Sequence, residues 1–347
     1  MRIAADAAIY SRERSSFTVA VCAYNAVGRL HRALDALSLV RYEGDWEILV
    51  VDNASTDGTA AFAQKWRVLL PAMRVICEPA AGVAQARVRA IREARCDWIV
   101  WVDDDNLLPP DYLEVADAIV AGRNDIGIVA GDARLFELAA PPAWFQQVAG
   151  CYAVGQQFSH EGEQGKGVSS WGAGSMLRRI AAIQILDRGF KPVLSGRLGR
   201  HQLAGEDAEI CLAMRLLGWG LLYSRALVIG HAIEPKRLSA AMLRRTAFGF
   251  GLSSVALEVY RAQFDPPLKR WVKTHDTAFA VYALTKFAGR LLRRLIRWDM
   301  RTRVDFWASQ GTAAALISGM RASQVLATPF LRKVRSQRAM AREAIGS

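Results

Sequence analysis

The chain has 347 residues, of which 52% are hydrophobic and 22% are charged, so it can fill a core and extensive disorder is excluded. This length fits one large α/β domain with an appendage, or two ordinary domains. The net charge of +12 is unevenly distributed along the chain, because residues 261–347 carry 17 basic and 5 acidic side chains whereas the first 260 residues carry equal numbers of both. A uniformly basic nucleic-acid-binding protein is not partitioned in this way, so we expect no nucleic-acid partner.

The cysteines and the apolar segments limit the class of protein further. Five cysteines lie far apart without a CxxC pair, which excludes a disulfide scaffold and a zinc ribbon and is typical of a reducing compartment. Residues 1–16 contain no apolar segment, so we expect no signal peptide. No stretch reaches the roughly 20 apolar residues of a spanning helix.

Strand and helix patterns alternate through the first half of the chain. Apolar runs predict strands at residues 17–24, 47–51, 73–77 and 98–102. Helical spacing predicts helices over residues 30–40, 56–66 and 82–95, and Pro109-Pro110 begins a fourth. This alternation predicts an α/β fold with a doubly wound, mostly parallel sheet flanked by helices. Ligands of such sheets lie outside the carboxyl ends of the strands.

The regular alternation ends near residue 126. A short strand is predicted at 126–130, a glycine-rich segment covers 168–177, and a helix follows Glu206-Asp207. A last strand at 221–229 is followed by helical, increasingly basic sequence. We therefore expect an N-terminal extension at 1–16, a main domain at 17–255 and a basic helical tail at 256–347.

Three adjacent carboxylates, Asp103-Asp104-Asp105, follow the fourth predicted strand. Adjacent carboxylates repel one another and raise each other's pKa unless a cation neutralises them. A hard divalent ion that also carries substrate phosphates is the natural partner. The alternative is a helix cap before the two prolines, but a cap needs only one carboxylate.

Asp52, after the second strand, is suited to accept a hydrogen bond from a nucleobase or a ribose hydroxyl, or it shapes the turn and caps a helix. Together with the aspartate triplet it favours nucleotide binding. The chain has no GxGxxG motif and no P-loop, which disfavours dinucleotide oxidoreductases and P-loop NTPases.

Three further positions each allow two interpretations. Glu206-Asp207 either supplies a general base or stabilises the first turn of a helix through its dipole. His231 closes the last strand as a structural residue or as a metal or phosphate contact. Arg87 either reaches a phosphate or lies on a solvated helix face.

The order of these motifs resembles the inverting family 2 glycosyltransferases of the GT-A fold, over roughly residues 17–255. The resemblance is carried by the following segments: Ala23-Tyr24-Asn25, residues 50–59 around Asp52, Ala86-Arg87, Asp103-Asp104-Asp105-Asn106, Gly172-Ala173-Gly174, Glu206-Asp207 with Glu209, Gly218-Trp219 and His231. Within the family the chain is most similar to bacterial polysaccharide-assembly members, including those named for hormogonium polysaccharide biosynthesis. One departure is Val88, where the family usually has asparagine after the arginine.

The resemblance implies a role for each matched position. Asp207, with Glu206, would supply the catalytic base, and Asp105, with Asp103 and His231, would hold Mg²⁺ or Mn²⁺. The nucleotide sugar would be bound by the following residues: Ala23, Tyr24, Asn25, Asp52, Arg87, Asp103, Asp104, Gly172 and Gly174. The metal would neutralise the leaving diphosphate while the base deprotonates the acceptor hydroxyl. Inversion needs no second carboxylate as nucleophile.

The tail mixes aromatic and aliphatic residues with arginines. Its basic amphipathic pattern spans Phe279 to Trp298 and suits an anionic membrane surface, although a helical cover over the main domain is the alternative. The resemblance implies a transferase that moves a sugar, from a UDP-sugar in the first instance, to a polysaccharide or lipid-linked acceptor, and the tail adds the expectation that it acts at the cytoplasmic face of the cell membrane. The alternatives are a catalytically silent nucleotide-sugar-binding or scaffold protein and a transferase acting on a small metabolite.

Overall fold

A computed structural model describes five segments of the chain: residues 13–136, 141–198, 201–202, 204–297 and 299–346. Most of the predicted N-terminal extension and Trp298 lie outside these segments. Within them, no helix combines the length and the apolar character that crossing a bilayer requires.

The first half forms the predicted alternation of strands and helices. Its elements are β1 (Phe17–Ala23), α1 (Leu30–Ser38), β2 (Trp46–Asn53), α2 (Thr59–Lys65), β3 (Met73–Glu78), α3 (Val83–Glu93) and β4 (Trp98–Asp103). The strands form where β-branched and aromatic residues run together, and β1 and β4 are almost wholly buried. Helix α2 begins three residues later than predicted, because Asp57 accepts hydrogen bonds from the backbone and the hydroxyl of Thr59.

The second half adds shorter strands and further helices. Its elements up to residue 231 are β5 (Asn106–Leu107), α4 (Tyr112–Val120), β6 (Ile126–Leu135), α5 (Phe145–Val148), β7 (Gly162–Glu163), β8 (Met176–Arg178), α6 (Arg179–Asp187), β9 (Arg197–Leu198), β10 (His201–Gln202), α7 (Glu206–Leu216) and β11 (Gly220–His231). The C-terminal helices are α8 (Ala240–Ala262), α9 (Pro267–Thr274), α10 (Asp276–Ile296), α11 (Met300–Ile317), α12 (Ala322–Leu326) and α13 (Pro329–Gly346).

One large sheet carries the fold, in the strand order β3-β2-β1-β4-β8-β6-β11-β5, with β7 beside β11. The β1–β2, β2–β3, β1–β4 and β6–β11 pairs are parallel, and the short β5, β7 and β8 pair antiparallel. In this register Ala23 lies opposite Asp52, and Cys22 lies opposite Asp103. The carboxyl ends of β1, β2 and β4 therefore meet at one edge, as a doubly wound sheet predicts, and the predicted fold class is confirmed.

The predicted tail is packed onto this body. Helix α8 crosses the predicted boundary at 255/256 without interruption. Phe330 and Leu331 of α13 enter the main core, where the Phe330 ring meets Phe190 edge-on at 5.6 Å between centroids. Helices α12 and α13 thus perform the covering role that the sequence left open for the tail.

Helices α8 and α11 cross at two glycines. A Cβ atom added to Gly251 would stand 1.8 Å from the carbonyl oxygen of Ala308, and one added to Gly311 would stand 2.0 Å from that of Phe248. Only hydrogen fits at either position, because the obstacle is backbone. The crossing therefore fixes α8, which forms one wall of the site described below, against α11.

We expect Gly251→Ala to lower the free energy of unfolding by about 1–3 kcal/mol, the usual cost of overpacking, because the two helix backbones must separate. Gly289→Ala on α10 is the matched control, since its added Cβ meets nothing within 4 Å and should stabilise the helix by roughly 0.5–1 kcal/mol. Urea denaturation of both variants measures the difference. Equal stabilities would show that the crossing tolerates a side chain.

Candidate functional site

A cavity of about 600 Å³ opens at the carboxyl edge of the sheet. Its walls come from the ends of β1 and β4, the start of α3, the glycine-rich loop before β8, the first turn of α7 and one face of α8. Ten predicted site residues line it: Ala23, Tyr24, Arg87, Asp103, Asp104, Asp105, Gly172, Glu206, Asp207 and His231. Residues that lie more than 200 positions apart in sequence therefore face one space.

Each carboxylate of the aspartate triplet faces an arginine from a different part of the chain. Arg87 Nη2 is 3.4 Å from Asp103 Oδ1, Arg29 Nη2 is 2.7 Å from Asp104 Oδ2, and Arg237 Nη1 is 2.5 Å from Asp105 Oδ2. The sequence predicted that the triplet needs a neutralising cation, and side chains supply three. Arg29 and Arg237 were not predicted to belong to the site.

Arg29 clamps the middle aspartate to the end of β1. It donates two hydrogen bonds of 2.7 Å to Asp104 and two more to the carbonyl oxygens of Tyr24 and Asn25. Burial, reinforced by the neighbouring Asp105 carboxylate, raises the pKa of Asp104 to about 6, although Arg29 acts in the opposite direction. Asp104 thus joins the triplet to the turn that follows β1.

Asp105 and His231 converge on one point. His231 is the last residue of β11, and its Nε2 lies 3.4 Å from Asp105 Oδ2. The ring is 5% exposed, and its Nδ1 is buried without a hydrogen-bond partner among the described residues. Arg237, from the turn after β11, approaches the same Asp105 oxygen as His231.

Arg87 is buried at the centre of the site, which excludes the solvated face that the sequence left open for it. It is 3% exposed and lies 5.6 Å over the ring of Trp101. Its Nη1 donates to Glu206 Oε1 at 3.0 Å and lies 3.9 Å from Asp207 Oδ2. Arg87 therefore links the aspartate triplet with the acid pair at the start of α7.

The two acids of that pair have different surroundings. Glu206 is 7% exposed, and burial raises its pKa against the opposing pull of Arg87. Asp207 is more accessible and accepts backbone hydrogen bonds from Gly172 at 2.6 Å and from Ala208 at 2.7 Å. Asp207 is thus oriented by two N–H donors while its carboxylate still faces the cavity.

Glu209, the third acid of the first turn of α7, has a structural role. It is fully buried and accepts hydrogen bonds from the backbone of Val193 and Leu194, and burial raises its pKa to about 7. The loop that it anchors brings the Ser195 carbonyl against Gly82, where a Cβ atom would stand 2.8 Å from that oxygen. Gly82, at φ +120°, accommodates this close approach at the start of α3.

Three predicted binding residues, Asn25, Asp52 and Gly174, are not part of the cavity wall that the described residues form. Asn25 accepts the backbone N–H of Thr56 and so shapes the turn after β1. Gly174 turns the loop at φ +66°, and a Cβ atom there would stand 2.7 Å from Ile229. Asp52 is 5% exposed at the end of β2, and its Oδ1 has no hydrogen-bond partner among the described residues.

Other lining residues were not predicted. Tyr152 and Trp171 face the cavity, and α8 contributes Phe250, Ser254 and Leu257. The indole Nε1 of Trp171 is buried without a partner in the described part of the chain. The helical spacing of the α8 residues was visible in the sequence, but which face of α8 meets the site depends on its crossing with α11.

The donor set fits a divalent cation only in part. No group of three or more His, Cys, Asp or Glu side chains in the described segments has the arrangement of a metal site, so Asp103, Asp105 and His231 are not assembled as three ligands. Asp103 faces Arg87, while Asp105 and His231 lie close enough to share one ion. Mg²⁺ is usually held by one or two carboxylates together with substrate phosphates, and Asp105 supplies one such carboxylate.

Two family models match the chain. The model described as "Glycosyl transferase family 2" matches residues 18–135, and "Glycosyl transferase family group 2" matches residues 98–324, more than half of the chain. The matched regions contain the aspartate triplet, the acid pair and His231.

Curated relatives match over shorter segments. An uncharacterized glycosyltransferase, YfnE of Bacillus subtilis (strain 168), is 31% identical over 112 residues, which are 32% of this chain and 28% of YfnE. The putative teichuronic acid biosynthesis glycosyltransferase TuaG of the same organism is 33% identical over 70 residues, which are 20% of this chain and 28% of TuaG. The aligned segments thus span less than a third of either relative.

Solved structures share the fold. The mannosyltransferase PcManGT from Pyrobaculum calidifontis, in complex with GDP-Man and Mn²⁺, has a TM-score of 0.54 and 20% identity, covering 86% of this chain and 87% of that one. S. aureus TarS 1–349 in complex with UDP has a TM-score of 0.51 and 18% identity, covering 94% of this chain and 92% of that one. At these identities the likeness concerns the fold alone.

Proposed function

Because the chain belongs to family 2 of the glycosyl transferases, we propose that it moves a sugar from a nucleoside-diphosphate sugar to a hydroxyl group with inversion at the anomeric carbon. One observation carries the proposal: the aspartate triplet and the Glu206-Asp207 pair line a single cavity of about 600 Å³. A donor diphosphate needs cationic surroundings, and an acceptor hydroxyl needs a base. The cavity holds residues for both tasks.

The first part of the proposal concerns the donor and places its nucleoside at the ends of β1 and β2. Asp52 is not on the cavity wall itself, but Ala23, which lies opposite it, and the adjacent Asn53 are. The buried Oδ1 of Asp52 has no partner among the described residues, which is costly for an acceptor and supports a hydrogen bond from a nucleobase N–H. Uracil offers such a donor at N3, as do thymine at N3 and guanine at N1, so we take a UDP-sugar as the first of three candidates that the panel below compares. Tyr24 is 54% exposed beside this position and is available to cover the base.

The second part of the proposal concerns the metal and assigns Asp105 and His231 as ligands of Mg²⁺ or Mn²⁺. When bound, the cation would stabilise the charge that develops on the leaving diphosphate. Arg237 now bonds the same Asp105 oxygen, so it must give way to a cation there. Its guanidinium is then available to a phosphate, which it can bind through two N–H donors.

The third part of the proposal concerns the acceptor and assigns the role of general base to Asp207. Glu206 is bound to Arg87 and is almost wholly buried, whereas Asp207 is the more exposed of the two. A single base satisfies inversion, because the hydroxyl attacks directly and no glycosyl-enzyme intermediate is needed. The remaining wall, formed by Tyr152, Trp171 and α8, is the proposed place for the acceptor.

The proposed acceptor class is supported by the names of the relatives and by the charge of the chain. The relatives EpsH and TuaG of Bacillus subtilis are named as putative glycosyltransferases, TuaG for teichuronic acid biosynthesis. We therefore propose a growing polysaccharide or lipid-linked glycan as acceptor. A peripheral location at the inner face of the cell membrane would place the basic C-terminal helices next to such a substrate.

The experiment is a thermal-shift panel of UDP-, GDP- and dTDP-sugars with and without Mn²⁺. A ligand that binds only the folded state at a hundred times its Kd stabilises that state by about 2.7 kcal/mol. We expect the UDP-sugar with Mn²⁺ to raise Tm most. Asp105→Asn should remove the Mn²⁺-dependent part of this shift, while the nucleotide alone still binds because Arg237 is released.

Asp35→Asn, an exposed acid on α1, is the matched control and should keep the full Mn²⁺ effect. An unchanged Mn²⁺-dependent shift in Asp105→Asn would contradict the ligand assignment. No shift with any nucleotide sugar would contradict the proposed function itself.

A further inference from the structure

Helix α10 presents an apolar stripe to solvent. Five aliphatic side chains on it are more than half exposed: Val281 61%, Leu284 62%, Leu292 59%, Leu295 67% and Ile296 70%. Their spacing of three and four residues places them on one side of the helix, together with the exposed Ala288. The stripe from Val281 to Ile296 is about 22 Å long at 1.5 Å per residue.

The opposite side of α10 is packed against the body. Phe279 is 2% exposed and belongs to a small core with Val255 and Ala315, and the Phe287 ring lies 5.7 Å from that of Phe306. The sequence pattern from Phe279 to Trp298 did not separate Phe279 and Phe287 from Leu292 and Ile296. The structure divides this set, so the aliphatic stripe is not needed to hold α10 in place.

Basic side chains accompany the stripe. Lys286 and Arg293 are exposed, and at about 100° per residue they lie on one flank of α10, between Ile296 at the edge of the stripe and the packed side of the helix. The exposed Arg297 follows directly after the last residue of the helix. The only acidic residue of α10 is Asp276 at its start, where it is bonded to Ser323. Long basic side chains can extend from such a flank while their stems lie on apolar surface.

We propose that this face of α10 lies in the interface of an anionic lipid bilayer, with the stripe among the acyl chains and the basic flank at the headgroups. Two observations favour this occupant over a second copy of the chain. Residues 261–347 hold the entire net charge of +12, so two such faces repel each other. The stripe is the solvent-exposed side of one uninterrupted helix of 21 residues, a shape that suits the plane of a bilayer surface. The inference deepens the peripheral location proposed above.

The experiment is sedimentation of the full chain with vesicles of phosphatidylcholine alone and of phosphatidylcholine mixed with phosphatidylglycerol. We expect the protein to bind the mixed vesicles and this binding to weaken as the salt concentration rises, because salt screens the attraction between the basic side chains and the anionic headgroups. Lys286→Gln/Arg293→Gln/Arg297→Gln should weaken this binding roughly a hundredfold, since each basic residue contributes about fivefold. Leu284→Ser/Leu292→Ser/Leu295→Ser should weaken it by at least about tenfold at low and at high salt alike.

Matched controls come from the body of the protein. Leu39→Ser/Val68→Ser/Leu69→Ser removes equally exposed apolar surface, and Lys65→Gln/Arg67→Gln/Arg92→Gln removes equally exposed charge. Both should bind vesicles like the unchanged protein. Undiminished vesicle binding of the two α10 variants would overturn the inference. It would also be overturned if the protein formed a dimer in the absence of lipid and the leucine-to-serine variant, but none of the others, were monomeric.

This test is separate from that of the proposed function. Nucleotide-sugar binding in vesicle-free buffer tests the glycosyltransferase assignment and does not depend on α10. Donor binding without vesicle binding would overturn the lipid surface alone, whereas vesicle binding without donor binding would overturn the proposed function alone.

Discussion

Asp207→Asn is expected to lower turnover by roughly 10²–10⁴-fold, the usual contribution of a positioned base. The amide has nearly the size of the carboxylate but cannot take the proton of the acceptor hydroxyl. Donor and metal affinity should stay nearly constant, because Asp105, His231 and Arg237 form a separate group at the triplet. Initial rates and calorimetric titration with the donor on one preparation measure both quantities.

A structural cost accompanies this change and must be separated from the catalytic one. The carboxylate of Asp207 accepts two backbone hydrogen bonds, from Gly172 and Ala208, and an amide oxygen can keep only one of them. We therefore expect a stability loss of about 0.5–1.5 kcal/mol, the net worth of one hydrogen bond. Glu206→Gln is the matched variant, since it also removes one carboxylate from the first turn of α7.

The outcome distinguishes three roles for the pair. Full activity of Asp207→Asn with a lowered Tm would reduce Asp207 to a first-turn acid, worth roughly 0.3–1 kcal/mol through the helix dipole. A larger loss of turnover in Glu206→Gln than in Asp207→Asn would transfer the base to Glu206. The acid limb of the pH–rate profile should disappear only in the variant that lacks the base.

The main strands could be predicted to within a few residues where continuous apolar runs leave no alternative. In β1 and β4 nearly every residue is buried, whichever face of the sheet it lies on. These strands are therefore visible in the sequence as continuous apolar runs, without an alternation of apolar and polar residues. The strand β8 was missed because its three residues follow a glycine-rich loop and pair antiparallel between β4 and β6. A strand of three residues is positioned by the strands on either side of it and is too short to show a hydrophobic pattern in the sequence.

The site was predictable to the extent that it lies at strand ends. The triplet and the acid pair follow apolar segments, and a parallel sheet brings such ends together. Two partners of these acids, Arg29 before α1 and Arg237 in the turn after β11, were not predictable, because an isolated arginine in a sequence resembles a solvated charge. Trp101 and Gly172 lie against the buried guanidinium of Arg87, and both contacts depend on the tertiary fold.

Arg87→Met is expected to lower the free energy of unfolding by about 3–5 kcal/mol, the cost of removing one partner from a buried ion pair. The guanidinium lies 3.0 Å from Glu206, 3.4 Å from Asp103 and 3.9 Å from Asp207. Without it, three carboxylates face one another, and Glu206 is left buried and charged. Arg89→Met is the matched control on the same helix, because its exposed pair with Glu93 is worth about 0.3–0.5 kcal/mol.

The loss in Arg87→Met should depend on pH in a defined direction. Burial already raises the pKa of Glu206, and removing Arg87 raises it further. The folded variant therefore binds a proton that the unfolded chain gives up, so its stability deficit is largest above the folded pKa and shrinks as the pH falls. Urea denaturation at neutral and at mildly acidic pH measures this change.

The double variant Arg87→Met/Glu206→Gln tests whether Glu206 is the source of the cost. Replacing the buried carboxylate by a neutral amide removes the uncompensated charge, so we expect the double variant to be more stable than Arg87→Met alone. A deficit that is independent of pH and unchanged in the double variant would mean that Arg87 acts through its packing against Trp101 and Gly172. In that case the triplet and the acid pair are not joined by charge, and Asp207 must be oriented by its backbone hydrogen bonds alone.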